Sequence, residues 1–309
     1  MKQVFISLLN YNGSENTIDC LESLRNINTD SFKLTIIVVD NASSDNSIKS
    51  IKNHVLTSKY GNVKFIENKK NMGFSGGHNT AIRYALSNKA DYVLLLNNDI
   101  YVDKNFLKEL FVVSEQDDNI KIAVPKIYFA PGYEFHKNRY SNQEKGKVFW
   151  YAGGEVDWAN IIGRHRGVDE VDKGEFDNIE QTEIATGCSM LIKKEVFEKI
   201  GNLDDKYFLY YEDADLSMRV KRNGFKIMYV PKSVIWHKNA ESTGGSGSTL
   251  QDYYITRNRL MFGFRYAPIR TKLALLKESL FLLFNGRKWQ KKGALDFYLD
   301  NFGKGSYKI

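Results

Sequence analysis

Four apolar runs punctuate the first hundred residues, at 4–9, 34–39, 63–66 and 92–96. The second and fourth lack inside/outside alternation, the pattern of strands covered on both faces. Between the runs, Ile18, Leu21 and Leu24 recur at three-residue steps, and 44–56 and 79–86 also carry helical spacing. Strand and helix alternating at this cadence predict an α/β fold: a mainly parallel sheet with right-handed crossovers, flanked by helices. Residues 125–183 break the rhythm. Gly132, Gly146, Gly153, Gly154, Gly163, Gly167 and Gly174 lie among aromatics such as Trp150 and Trp158, predicting short strands and long loops that flap over a site. Order returns with a strand over 184–192 and helices over 194–200 and 212–223, the second stopped by Gly224. Short strands over 225–230 and 234–237 follow.

Polar residues collect where the early runs end. Asn10 and Asn12 follow the first, Asp40 and Asn41 the second, Glu67 and Asn68 the third, and Asn97, Asn98 and Asp99 the fourth. Open parallel sheets bind ligands at the carboxyl ends of their strands. One Asp after a strand is ordinarily a helix cap, and for Asp40 alone that reading prevails. Four strands ending alike point to a site on the rim. The stretch 71–79, with Gly73, Gly76, Gly77 and Asn79, opens a helix. It either lets backbone N–H groups approach a nucleotide or forms a plain tight turn. A dinucleotide fingerprint after the first strand and a P-loop Gly-Lys-Ser/Thr are both missing.

Asn97, Asn98 and Asp99 suit a hard divalent cation, Mg²⁺ or Mn²⁺, shared with a pyrophosphate. The competing reading is that Asp99 caps a helix beginning near Asp103. Glu212, Asp213 and Asp215 place three carboxylates at a helix start, more than a cap needs, where the dipole favours the ionised form and a general base is possible. His237 ends an apolar strand ahead of the Gly/Ser-rich stretch 241–249. Taken alone, it reads as structural.

Charge and composition narrow the class. Only Cys20 and Cys188 are present, which excludes a disulfide scaffold or a Cys-rich metal site and fits a reducing compartment. No run reaches the ~18 apolar residues of a spanning helix, and the N-terminus lacks a leader pattern, so the expected location is cytoplasmic. The net charge of +7 is unevenly spread: residues 257–309 hold 12 Lys/Arg against 3 Asp/Glu, and the remainder holds 32 against 34. The body is therefore no nucleic-acid binder. In the tail, Leu273, Leu276, Leu280, Leu283 and Phe284 repeat at helical spacing among Lys272, Lys277, Arg287, Lys288, Lys291 and Lys292. This is a basic amphipathic helix, suited either to an anionic membrane surface or to packing on the domain.

The ordered motifs resemble family 2 glycosyltransferases. Those that carry the likeness are Val38-Val39-Asp40-Asn41-Ala42-Ser43-Ser44-Asp45, the stretch from Asn71 to Asn79, Leu95-Leu96-Asn97-Asn98-Asp99, and Thr186-Gly187-Cys188-Ser189. They continue through Gly201, Asp204 and Phe208 to Glu212-Asp213-Ala214-Asp215-Leu216, Arg219 and Trp236-His237. Tyr253-Tyr254 and Arg257-Asn258-Arg259 add likeness to the bacterial rhamnosyltransferase branch. The resemblance implies a GT-A domain over 1–255, with a nucleotide-binding half (1–125) and an acceptor/catalytic half (126–255), followed by the tail at 256–309. It also implies a nucleotide-sugar donor, a divalent metal, inversion at the anomeric carbon and a saccharide acceptor that is lipid-diphosphate-linked in many such enzymes. Those acceptors would put the enzyme at the inner face of the cell membrane.

By position, the resemblance puts Asp40 on the base, with Asn10 and Asn12 nearby. Gly73, Gly76, Asn79, Asn97 and Asn98 belong to the donor site, and Asp99 and His237 to the metal. Asp213 is the implied base. Glu212, Asp215, Trp236 and Arg257 are implied to serve the acceptor or support the site. Asn97 departs from the wider family, which often has Asp there, and so leaves fewer charges for the metal. The leading expectation is rhamnosyl transfer from dTDP-rhamnose in surface-polysaccharide synthesis. Its rivals are galactofuranosyl or other hexosyl transfer from a UDP-sugar, and an inactive nucleotide-sugar-binding scaffold. A sugar-1-phosphate nucleotidyltransferase would need a Gly-rich Arg/Lys loop after the first strand, and residues 10–13 do not supply one.

Overall fold

The computed structural model describes residues 1–136, 138–239 and 247–308. The four apolar runs are strands β1 (Lys2–Asn10), β2 (Phe32–Asp40), β3 (Val63–Glu67) and β4 (Tyr92–Leu96), alternating with helices α1 (Ser14–Leu24), α2 (Ser47–Thr57) and α3 (Gly73–Ser87). Short β5 (Ile100–Val102), α4 (Phe106–Gln116) and β6 (Ile120–Phe129) follow. The middle segment supplies β7 (Phe149–Tyr151), the hairpin of β8 (Gly154–Asp157) and β9 (Ile162–His165), and β10 (Glu180–Gln181). Next come β11 (Ser189–Lys193), α5 (Lys194–Lys199), α6 (Glu212–Arg222) and β12 (Lys226–His237). Three helices end the chain: α7 (Thr249–Tyr266), α8 (Ile269–Asn285) and α9 (Lys288–Tyr298).

One ten-stranded sheet runs β10-β12-β6-β11-β4-β1-β2-β3, with β5 joined to β12 and β7 to β6. Strands β4, β1, β2 and β3 are parallel, as the alternating pattern predicts. β11 lies antiparallel between β4 and β6. Every residue of β4 is buried, and Val4, Ile6, Leu8, Ile37 and Val38 beside it are fully inaccessible. The sheet centre therefore reads as unbroken apolar runs because helices cover both faces. The expected pair of short strands over 225–237 is one strand, with a register shift between Val230 and Val234. Strand β6 was not expected, since Lys121, Pro125 and Lys126 interrupt its apolar run. Its lysines are buried, with Lys126 held by Asp172 and Asp177 at 2.7 and 2.6 Å.

A second apolar cluster joins the terminal helices to the middle of the chain, packing Leu260, Phe262, Tyr266 and Leu275 on Val156, Ile161, Ile184 and Tyr207. The boundary expected at 255/256 falls inside α7, whose Tyr253, Tyr254, Arg257 and Asn258 are all buried. α7 is thus part of the folded body, and the exposed basic portion begins later, at α8.

Candidate active site

The rim at the ends of β1, β2 and β4 is drawn together by its own short polar side chains. Asn10 Nδ2 donates to Asp40 Oδ1 (2.8 Å) and to Ser43 Oγ (3.1 Å), and Thr17 Oγ1 donates to Asn10 Oδ1 (2.9 Å). Ser43 donates its backbone N–H to Asp40 Oδ2 (3.0 Å) and its hydroxyl to Oδ1 (2.6 Å). Asn12 Oδ1 accepts from the Ser44 N–H at 2.8 Å, and Asn98 Nδ2 donates to Thr17 Oγ1 at 2.9 Å. Asp40 is buried. Three donors leave it a lone pair on Oδ2, enough to accept from one further N–H. Asn97 anchors through its N–H to the Cys188 carbonyl (2.9 Å), and its side-chain amide meets no hydrogen-bonding partner among the described residues.

The Gly-rich stretch, open to two readings from the sequence, turns tightly against Phe208. The N–H groups of Phe74 and Ser75, at the start of α3, are taken by the Phe208 carbonyl at 2.6 and 3.3 Å. Gly73 has φ +69°, and a Cβ there would lie 2.6 Å from the Phe208 ring. A glycine is needed both for that backbone conformation and for the close approach. A Cβ on Gly76 would meet Met72 at 2.7 Å. Asn79 exchanges hydrogen bonds with the backbone of Leu203 and donates to Asp205. Gly73 and Asn79 therefore seat the 203–208 segment on α3, while Gly76 makes room for Met72. The Phe74 and Ser75 N–H groups are thereby taken up by protein backbone.

At the far side of β4 stand Asp99 and His237. Asp99 follows Asn98 off β4, and His237 ends β12, where it pairs with Ile100 of β5. His237 Nε2 lies 3.2 Å from Asp99 Oδ1, and both residues are buried. Burial opposes the Asp99 charge, but the adjacent His237 outweighs it and holds the carboxyl below its usual range. Beyond that contact, Asp99 Oδ1 has no hydrogen-bond partner among the described residues, and neither does His237 Nδ1. A carboxylate oxygen and an imidazole nitrogen converging in this way form a donor set that Mn²⁺ or Mg²⁺ accepts. Among the described residues no three or more His, Cys, Asp or Glu side chains are arranged so that together they could hold a metal ion. The pair therefore fits a cation that takes its other ligands from substrate phosphate and water.

The Thr186–Ser189 turn joins this pair to Asp213. Cys188 lies beside His237 and within electrostatic reach of Asp99 and Asp213. The preceding Gly187 N–H donates to Asp213 Oδ2 at 2.9 Å, while the Ala214 N–H donates to Oδ1 at 2.7 Å. Desolvation still raises the Asp213 pKa against these two donors, which makes its carboxylate more basic than an exposed one. Glu212 is buried with Oε2 unpartnered. Burial first, then the charges of Asp213 and Asp215, push its pKa well up, which favours its protonated form.

Three residues were expected either to serve the acceptor or to support the site. Asp215 is inaccessible and saturated by Arg219 Nε (2.8 Å), Arg265 Nη1 (2.6 Å), Tyr266 OH (2.7 Å) and Tyr207 OH (3.2 Å). Arg257, also inaccessible, donates to the carbonyls of Lys206 and Tyr207 at 3.2 and 3.0 Å. Neither can touch a ligand. Trp236 is one residue from His237 and so projects from the opposite face of β12. It donates to the Gly146 carbonyl (2.9 Å) and lines an open depression with Tyr101 and Tyr128.

The motifs did not single out two features of the site. Phe208, Tyr210 and Tyr211, immediately before α6, have φ of +66°, +70° and +73°, which is costly for side chains of this size. Buried Asn258 holds them in place, donating to the carbonyls of Tyr207 (2.9 Å), Leu209 (2.7 Å) and Tyr210 (2.8 Å). The other feature is Trp150, whose ring meets His237 edge-on at 4.6 Å. Asn258 stood within a quoted motif, but nothing local marked its role. Residues 241–246 of the Gly/Ser-rich stretch after His237 lie outside the described residues.

Residues 5–201 match the family described as "Glycosyl transferase family 2". A low-salt glycan biosynthesis hexosyltransferase, Agl10, of Haloferax volcanii is 28% identical over 226 residues, 73% of this chain and 66% of the relative. An N-acetylglucosaminyl-diphospho-decaprenol L-rhamnosyltransferase of Mycobacterium tuberculosis is 37% identical over 59 residues, 19% of each chain. The chain thus spans just under two thirds of the first relative's length and about a fifth of the second's. Among solved structures, a mannosyltransferase from Pyrobaculum calidifontis in complex with GDP-Man and Mn²⁺ superposes with a TM-score of 0.58 at 15% identity. The superposition covers 98% of this chain and 76% of that one.

Proposed function

The chain belongs to glycosyl transferase family 2 and has the GT-A fold, and from this premise we propose that it is an inverting, metal-dependent hexosyltransferase. The proposed reaction moves L-rhamnose from dTDP-rhamnose to a saccharide acceptor, which is lipid-diphosphate-linked, in surface-polysaccharide synthesis. The observation that carries the reading is the convergence of Asp99 and His237 at 3.2 Å, joined through Gly187 and Cys188 to the buried carboxylate of Asp213. The rhamnose and lipid-diphosphate assignments draw on likeness to the mycobacterial rhamnosyltransferase; the hexosyl assignment draws on likeness to the archaeal hexosyltransferase.

In this reading Asp40, steadied by Asn10 and Ser43, accepts from the N–H of the donor's pyrimidine base. Asn97, Asn98 and Asn12 line the ribose and sugar side of the rim. Asp99 and His237 would hold Mg²⁺ or Mn²⁺, which when bound neutralises charge on the departing nucleoside diphosphate. Asp213 is oriented by two backbone donors and made more basic by burial. It takes the proton of an acceptor hydroxyl as that oxygen bonds to the anomeric carbon. The bond from the anomeric carbon to the phosphate oxygen breaks in the same displacement, and its electron pair leaves on the diphosphate. Attack from the opposite face inverts the centre. Glu212 lies buried beside Asp213, where desolvation and the neighbouring charges favour its protonated form. Arg257 and Asp215 act at a distance, by holding the segment that carries Asp213.

The test is calorimetric binding of dTDP-rhamnose and a panel of UDP-sugars, with and without Mn²⁺, to the wild type and to Asp99→Ala. Metal-dependent binding of dTDP-rhamnose, lost in Asp99→Ala, is the expected result. Binding of a UDP-sugar instead would move the assignment to that donor, and metal-independent binding would remove Asp99 and His237 from the proposed role.

A further inference from the structure

Helix α8 presents two opposite faces. Leu275 and Ser279 are buried, and Leu282 and Leu283 pack into the second apolar cluster. Leu275 rests on Gly263 of α7, where a Cβ would stand 2.5 Å from it, and Glu278 pairs with Arg259 of α7 at 2.7 Å. α8 is therefore clamped to the body and cannot swing round to cover its other side. That other side is apolar. Ile269, Leu273, Leu276, Leu280 and Phe284 recur three or four residues apart, with Phe281 beside them. Ile269 is 74% exposed, Phe281 61% and Phe284 77%. At 1.5 Å per residue the row is about 22 Å long. On α9 and at its C-cap, Leu295, Tyr298 and Leu299 are exposed as well.

We propose that this row is a membrane-contact face, lying in the plane of a bilayer rich in anionic lipid. The charges beside it decide the occupant. Arg270, Lys272 and Lys277 on α8, and Lys288, Lys291 and Lys292 on α9, have no ion-pair partner among the described residues. On α8 the three cations flank the apolar strip at helical spacing, and α9 adds three more on the next helix, a charge that anionic headgroups complement. A second copy of the chain laid row to row would bring two such sets of cations together, and like charges in register oppose association. No helix among the described residues is long and apolar enough to cross a membrane, so the contact is interfacial.

The experiment is co-sedimentation of the full chain with vesicles of equimolar phosphatidylglycerol and phosphatidylcholine, and with pure phosphatidylcholine, at low and high salt. Neither donor nor metal is present, so the result does not depend on the proposed reaction. Binding to the anionic vesicles alone, weakened by salt, is expected. Phe281→Ser combined with Phe284→Ser should lower the partition constant about tenfold or more while leaving the melting temperature unchanged, since both side chains point outward. Lys272→Ala with Lys277→Ala should reduce the salt dependence. Failure to sediment with anionic vesicles at low salt overturns the proposal, as does binding that the Phe pair does not affect. So does a wild-type dimer in analytical ultracentrifugation that the Phe pair dissolves, because the row would then be a self-association surface.

Discussion

Replacing Asn258 by Ala removes the side chain that spans the strained approach to α6. Phe208, Tyr210 and Tyr211 each hold a left-handed backbone at about 1 kcal/mol or more apiece, so the segment stores at least ~3 kcal/mol. The Asn258 amide offsets much of this. Its two protons are shared among three carbonyls at 2.7–2.9 Å, or two full hydrogen bonds' worth. With about 1 kcal/mol net for each bond and a further penalty for buried carbonyls left unpaired, Asn258→Ala should destabilise the fold by roughly 3 kcal/mol. For a chain of this size that corresponds to about a 6 °C fall in Tm, read by calorimetry or circular dichroism. Relaxation of the segment shifts Asp213, two residues beyond Tyr211. A displacement of about 1 Å in a reacting group costs on the order of a hundredfold in rate. Asp40, Asn10 and Asn97 are held by separate contacts, so donor affinity should change little. The assays are a melt, calorimetric donor titration and initial-rate kinetics at saturating donor. A variant that melts lower yet turns over at the wild-type rate would refute the link between this backbone and the proposed base. A loss of donor affinity equal to the loss of kcat would show that Asn258 acts on the donor rim instead.

Three other perturbations probe the same machinery. Asp213→Asn should lower turnover by about 10²–10⁴-fold with donor binding nearly intact; retention of most turnover would remove Asp213 as the base. Glu212 titrates higher in the folded protein than in the unfolded chain. Its contribution is therefore most favourable below the ordinary Glu range and is lost as pH rises toward the folded value. Glu212→Gln should gain Tm relative to the wild type as pH rises from about 5 to about 9, and parallel melting curves would contradict the assignment. Asp215→Ala leaves Arg219 and Arg265 without their shared buried carboxylate and should cost about 3 kcal/mol in urea denaturation, whereas an unchanged midpoint would mean the network is not stabilising.

The sequence by itself determined the elements at the sheet centre and the rim they create. Runs such as 92–96 can be satisfied only by burial on both faces, and a parallel strand buried in that way delivers whatever follows it to one edge. Asn10, Asp40 and Asn97–Asp99 were therefore legible as neighbours without coordinates. Burial of β6 could not be read in the same way. Lys121 and Lys126 look like surface residues until acidic partners, distant in sequence, are brought to them by the fold. The roles of Gly73 and Asn79 were likewise hidden, because their partners at 203–208 lie more than a hundred residues away. Strand alternation separated Trp236 from His237, although they are adjacent in the chain. Arg257 and Asn258 stood in a motif whose purpose became visible only once α7 was seen to grip the carbonyls before α6. Local pattern records what a segment must bury. Which buried polar groups satisfy one another depends on contacts between segments far apart in sequence, and those only the tertiary structure decided.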